Sequence, residues 1–283
     1  MRYFSHMTPL IFGLFGLIVG SFLNVIILRH GERGIGGRSA CMSCGTQLRW
    51  YDMVPVLSWI FLRGACRACG KSISIQYPLV EALTGVLFAI IGAAEIPSLF
   101  PFDMQLLGCA IIALFIAIAV YDIRHTIIPD VWVWPLSGLC LLWSLLLLSH
   151  SFDVESVLML LIAGPIAALP LFTLWFVSRG RWMGFGDVKL ALGMGWLLGF
   201  PFGFAAVFWA FIIGAVVSVG ILLPLPRIIR FFARHGITTL EDTSAPLTMK
   251  SEVPFGPFLI ISCLMIWFAL LYHVPIPLFS YYG

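Results

Sequence analysis

Eight long apolar runs, separated by stretches that hold almost all of the charge, constrain this chain more than any other feature. They lie near Leu10–Leu28, Pro78–Ala94, Met104–Tyr121, Val131–Ser149, Val157–Ser178, Lys189–Phe200, Gly203–Leu225 and Phe255–His273. A helix of about 20 mostly apolar residues crosses the hydrocarbon of a bilayer, and there every backbone polar group must find its partner within the protein. The expected fold class is therefore an all-α polytopic membrane protein of about eight transmembrane helices. Composition agrees: 61% of the 283 residues are hydrophobic and 10% are charged, against roughly 25% charged in soluble domains. The sixth run is short for a span and is expected to be tilted, thin or re-entrant. Pro135, Pro165 and Pro170 are expected to kink their helices. The first run exceeds the ~7–15-residue core of a signal peptide and lacks an A-x-A-like site, so it reads as a retained anchor.

Orientation follows from the basic residues, which favour the cytoplasmic side. Alternating eight spans places segments 29–77, 122–130, 179–189 and 226–254 on one side, and of the sixteen lysines and arginines only Arg2 falls on the other. The first side is read as cytoplasmic, with both termini periplasmic. The domain expectation is a first transmembrane helix over 1–28, a cytoplasmic metal-binding insertion over 29–77, and a transmembrane core over 78–283 with cytoplasmic loops 122–130, 179–189 and 226–254. A net charge of +3 is too small to suggest nucleic acid as a partner. The partners implied are the lipid bilayer and a substrate, and the sequence is silent on oligomeric state.

Cys41-x-x-Cys44 and Cys66-x-x-Cys69 are separated by 21 residues, close to the spacing of four-cysteine zinc sites. Four thiolates would close a tetrahedral structural site with no open position. The cytoplasmic placement argues against disulfides, and a redox pair or plain reduced thiols are the alternatives. An insertion of this size lacks room for a sizeable core, so a metal would supply folding free energy. Cys109, Cys140 and Cys263 stand singly in apolar runs and read as small buried hydrophobes.

Gly184-Phe185-Gly186-Asp187 places a carboxylate behind two glycines at the mouth of an apolar run, where a charge is costly and a functional use is the first hypothesis. The glycines could take positive φ and admit a close backbone. Asp122 ends another run on the same side. Two such carboxylates facing each other near water would suggest aspartic proteolysis: one ionised to deprotonate water, one protonated to donate to the scissile carbonyl. Plainer uses stand beside this. Asp122 could pair with Arg124 or His125, and Asp187 with Lys189. Asp130, after Ile128-Pro129, could cap a helix and is otherwise expected, with Gly184, Gly186 and Lys189, to support the two acids. Ser21 and Asn24, at i and i+3, share a helix face and suit helix packing. Glu81 either snorkels to the interface or contacts substrate.

Taken in order, Gly20-Ser21-Phe22-Leu23-Asn24-Val25, the paired Cys-x-x-Cys motifs, Tyr77-Pro78-Leu79-Val80-Glu81, Asp122 through Pro129-Asp130, Gly184-Phe185-Gly186-Asp187-Val188-Lys189 and Pro254-Phe255-Gly256-Pro257-Phe258-Leu259 resemble bacterial type IV prepilin peptidases over nearly the whole chain. The resemblance implies an inner-membrane aspartic endopeptidase that removes a short basic leader from prepilins or type II secretion pseudopilins at the cytoplasmic membrane face. It also implies N-methylation of the new terminus from S-adenosylmethionine. By motif position it gives the catalytic roles to Asp122 and Asp187 and structural zinc to Cys41, Cys44, Cys66 and Cys69. Gln76 stands where the family usually has arginine, and His30-Gly31-Glu32 where Leu-Pro is common; neither touches the aspartates. No G-x-G-x-x-G opens a helix in a βαβ unit, so a methyl-donor pocket is expected in the first cytoplasmic half, with Glu81 as its candidate contact. Glu32, Asp52, Glu241, Asp242 and Glu252 are the acids available to receive a basic leader.

Two other classes compete. A transporter would use Asp122, Asp187 and Glu81 as a proton or cation relay near the bilayer midplane, between inverted repeats. A non-catalytic assembly factor would use its metal domain to dock a partner and would keep its function when Asp187 became asparagine.

Overall fold

The structure, a computed structural model, describes residues 2–30, 36–96, 101–148, 153–222 and 254–275. Within them the chain is helical, and no strand forms beyond two isolated bridges. In chain order the helices are α1 (Arg2–Arg29), α2 (Leu57–Phe61), α3 (Gln76–Ala93), α4 (Pro101–His125), α5 (Asp130–Leu148), α6 (Val154–Ser178), α7 (Phe185–Leu198), α8 (Phe202–Val217) and α9 (Gly256–Leu271). Setting aside the five-residue α2, each helix carries one of the eight apolar runs. Six of them, α1, α3, α4, α5, α6 and the helix over Phe202–Gly220, are long and apolar enough to cross a membrane. The 14 residues of α7 and 16 of α9 fall short, since at 1.5 Å per residue neither reaches the ~30 Å of a hydrocarbon core.

The chain divides into two compact units. The first holds residues 1–120, 145–150 and 271–273, and its framework is the packing of α1 on α3. Backbones approach closely there because small residues line the seam; a Cβ on Gly20 would stand 2.7 Å from the Cα of Glu81. Asn24, buried at 1% exposure, donates from Nδ2 to the carbonyls of Gly20 and Tyr77. Its use is helix packing.

The second unit holds residues 121–144, 151–270 and 274–283. Its core is built from Leu136, Trp143, Leu171, Leu190, Ala191, Met194, Leu259 and Cys263. Hydroxyls join helices by bonding to main-chain carbonyls: Ser144 of α5, half-buried, donates to Trp196 of α7 at 2.6 Å, and Ser262 of α9, buried, donates to Ala206 of α8 at 2.8 Å. In an apolar medium such groups have few other partners. Trp143 meets Trp267 edge to face at 5.1 Å. Pro135 lies inside α5, and Pro165 and Pro170 lie inside α6. Of the segment 226–254, only Pro254 lies within the described residues.

Candidate functional site

In the first unit the two cysteine motifs fold into matching knuckles. Cys41 N–H donates to the Thr46 carbonyl and Gly45 N–H to that of Cys41; likewise Cys66 N–H donates to Lys71 and Gly70 N–H to Cys66. Each knuckle is closed by one bridge, Ala40 with Gln47 and Ala65 with Ser72. Each also turns at a glycine in the left-handed region, Gly45 at φ 70° and Gly70 at φ 69°, a conformation that disfavours a Cβ. The four Sγ atoms of Cys41, Cys44, Cys66 and Cys69 lie within 4.8 Å of one another. Tetrahedral thiolates at a zinc distance of ~2.3 Å would be about 3.8 Å apart, and Cys41 and Cys69 stand at 3.9 Å. Backbone N–H groups of Cys44 and Ser43 hold the Cys41 thiol below its ordinary range, and those of Cys69 and Ala68 do the same for Cys66. The cluster could hold a metal ion. Cys109, Cys140 and Cys263 are buried, and no metal-binding group among the described residues includes them.

Asp52, between the knuckles, bonds the Arg67 guanidinium at 2.9 Å and is 7% exposed. It braces the cysteine-bearing insertion and is not a free acid. Glu32, Glu241, Asp242 and Glu252 lie outside the described residues. Glu81 is buried in α3, and its Oε2 accepts the backbone N–H of Val56 at 2.7 Å. The Ser21 hydroxyl is a second partner. Val56 precedes α2 at φ 60°, a conformation costly for a β-branched residue. The carboxylate of Glu81 thus holds the backbone N–H at the start of α2 instead of snorkelling.

The second unit brings Asp122 and Asp187 into Coulombic reach of each other. Asp122 sits in the last turn of α4 and Asp187 in the first turn of α7; their exposures are 4% and 8%. Gly184 is the N-cap of α7, so Asp187 is its third residue, from which a carboxylate can reach back to the cap. It accepts the Gly184 N–H. Burial, the larger cause, and the nearby Asp122 together push the Asp187 carboxyl up to about 7; Asp187 precedes the apolar stretch of α7, and α7 is not one of the six spans. On the other side, Gly256 N–H donates to Asp122 Oδ2 at 3.1 Å, and a Cβ at Gly256 would stand 2.6 Å from that oxygen.

Gly184 and Gly186 do not use the left-handed backbone open to a glycine. Neither has positive φ. Gly186 makes room for a side chain, since its Cβ would lie 2.8 Å from Cβ of Ile128. Around Gly184 a Cβ would meet nothing nearer than 3.9 Å, and one of those atoms is Asp187 Oδ2. Ile128 also lies 3.3 Å from the Cβ position of Gly256, so it wedges between the glycines beside each aspartate. Asp130 opens α5, but Pro129 supplies the carbonyl that accepts the first helical N–H groups. The Asp130 carboxylate instead pairs with Lys189. Lys189 is therefore partnered with Asp130, and the His125 ring lies 4.3 Å from that of Tyr121.

Sequence reasoning missed Gly256 and Ile128 as neighbours of the acids, and Val56 as the partner of Glu81. Pro254-Phe255-Gly256-Pro257 was visible as a motif, but nothing local says that it meets a residue 134 positions earlier.

Comparison with known proteins bears on the whole chain. Residues 14–94 match the family model for the bacterial peptidase A24 N-terminal domain, and residues 109–219 that for the type IV leader peptidase family. The chain is 31% identical over 281 residues to a prepilin leader peptidase/N-methyltransferase of Dickeya chrysanthemi, covering 88% of each chain. A protein of the same name from Dichelobacter nodosus is 31% identical over 308 residues, covering 95% of this chain and 94% of its own. Another from Myxococcus xanthus is 32% identical over 263 residues, covering 88% of this chain and 73% of its own. No solved structure matches the chain.

Proposed function

The chain belongs to the type IV leader peptidase family, and from that premise we propose that it is a membrane aspartic endopeptidase whose reacting groups are Asp122 and Asp187. Its substrates are prepilins or pseudopilins, whose short basic leader it removes at the cytoplasmic face of the bacterial inner membrane. The observation that carries this reading is that two buried carboxylates from distant parts of the sequence come within Coulombic reach, each held by a backbone N–H, with nothing nearer than 3.9 Å to a Cβ placed on Gly184. A transporter relay would want them near the bilayer midplane; these stand at helix ends.

Two carboxylates that face each other across a substrate water share one proton and titrate as a unit. In the singly protonated pair, the ionised member takes a proton from a water whose oxygen attacks the scissile carbonyl carbon. The protonated member donates to the carbonyl oxygen. The tetrahedral intermediate then collapses, breaking the C–N bond as the leaving amine takes up a proton. Gly256 N–H, aimed at Asp122 Oδ2, suits Asp122 to carry the charge. Gly184 leaves room for the substrate backbone to approach.

The cysteine cluster is read as a structural zinc site that folds the insertion, with no part in the chemistry. The N-methyltransferase in the relatives' names suggests a second activity here, with S-adenosylmethionine as donor. The residues present do not fit Glu81 to that donor, because its carboxylate is taken by Val56 and Ser21. The distribution of basic residues supports reading both termini as periplasmic.

The test is incubation of purified protein with a prepilin, followed by mass spectrometry of the product. Asp122→Asn and Asp187→Asn should each abolish release of the leader while the protein stays folded. Cleavage that persists in either variant rules the reading out. A mass gain of one methyl group on the mature product reports the second activity in the same spectrum.

A further inference from the structure

Lys189 is the cation nearest to Asp187 in sequence, yet its ammonium is committed elsewhere. It forms an ion pair with Asp130, and it stands 5.8 Å from the ring centre of Trp134 and 5.3 Å from that of Phe185. Its side chain is 16% exposed although that of Asp130 is 60% exposed. An exposed ion pair contributes little by itself. Two aromatic faces and partial burial make this ammonium far less free than a surface lysine. Residues two apart on a helix point to different sides, so a rotation of the first turn of α7 that frees Lys189 also turns Asp187.

We propose that Asp130 and Lys189 are a positioning pair: by gripping Lys189 from the head of α5, Asp130 fixes the first turn of α7 with Asp187 turned toward Asp122, and holds the ammonium off the two acids. This rests on the reading of Asp122 and Asp187 as the reacting groups. The pair places a charge of each sign at the heads of α5 and α7. Among the described residues, the other charged or titratable groups at this end are Tyr121, Arg124 and His125 on α4, Arg179 at the end of α6 and Arg181 in the loop that follows. Helices α8 and α9 carry no acid, lysine, arginine or histidine. None of these other groups changes in the variants below.

The experiment measures kcat, KM and the pH–rate profile for prepilin cleavage by full-length protein in lipid bilayers. Wild type is compared with Asp130→Asn, Lys189→Met, Lys189→Arg and the double variant Asp130→Asn/Lys189→Met. A misplaced reacting group can cost up to about a hundredfold, so each neutralised single variant should lose roughly tenfold or more in kcat with KM little changed. Lys189→Arg should retain most activity. The double variant should be no worse than the poorer single one, because the partners act as a unit.

The pH profile separates positioning from plain structural support. Removing the Lys189 charge makes the acids hold their proton more tightly and moves the profile to higher pH. Removing the Asp130 charge moves it to lower pH, and in the double variant the two shifts cancel. Absent or same-direction shifts, or losses that multiply in the double variant, overturn the proposal. Thermal melting of each variant identifies losses due to unfolding, and if Lys189→Met does not fold, Asp130→Asn carries the same test. Asp187→Asn in the same assay keeps the two ideas apart: retained cleavage there sinks the catalytic reading, whereas its loss with unshifted pair variants sinks this one alone.

Discussion

At the residue scale the candidate site depends on what glycine leaves out. Gly256 offers its N–H to Asp122 and has no Cβ to occupy the carboxylate's place. Gly256→Ala should therefore swing Asp122 aside and lower kcat by roughly a hundredfold with little change in melting temperature, because the displaced group is a short side chain and not the core. Activity near wild type would show that this contact does not matter. Asp187 makes a second prediction, with a definite sign. Its folded-state pKa is raised, mainly by burial, so its contribution to stability is full below the unfolded value of ~4 and is lost as pH rises through about 7. Asp187→Asn, an isostere of the neutral acid, should thus be more stable than wild type at pH 8 by up to a few kcal/mol. The two should converge at pH 4, as read by melting in detergent at both pH values. The acids were legible in the sequence because a charge at the end of an apolar run demands a reason. Their neighbours Gly256 and Ile128 were not, because a glycine in a Pro-Gly-Pro stretch looks like a turn until a distant side chain is seen against it.

At the scale of elements, the metal insertion is two copies of one device. Each knuckle offers two thiols, a left-handed glycine and one closing bridge, and neither has a core to hold it without the other. The purified protein should carry one zinc per chain, and cobalt substitution should give the intense visible bands of tetrahedral thiolate coordination. Cys66→Ser, at the buried ligand, should lose the metal and expose the insertion to proteases; metal-free wild type equally resistant to proteolysis would remove the structural role. Cys-x-x-Cys spacing announced this site because ligand geometry is local. The connection of Glu81 to Val56 was hidden, since it joins the membrane pair α1 and α3 to the insertion through a side chain 25 residues away. Glu81→Ala leaves a strained N–H unpaired and should cost about 1–3 kcal/mol, seen as faster zinc loss to a chelator. Glu81→Gln, which keeps an acceptor, should recover much of this.

For the molecule as a whole, the distribution of charge predicts topology. Reporter fusions near Arg230 should behave as cytoplasmic and fusions after Val274 as periplasmic; the opposite pattern would move the proposed site to the other face of the membrane. Eight helices were readable from hydropathy because in lipid each segment must satisfy its own backbone, so length and apolarity nearly dictate secondary structure. The shortness of the sixth run reappears as the 14 residues of α7. The same uniformity that made the helices legible concealed their packing. Apolar runs carry little information about which faces meet, and the seams are chosen by small residues and single hydroxyls whose partners lie dozens of positions away. By itself, then, the chain determined its helices, its cluster of four cysteines and the two acids, all of which follow from local pattern and the cost of charge in an apolar setting. Only the tertiary structure decided that Asp122 comes within Coulombic reach of Asp187, that Gly256 backs Asp122 with Ile128 between Gly186 and Gly256 and that Lys189 belongs to Asp130, because such contacts depend on the rotation and depth of each helix against its neighbours.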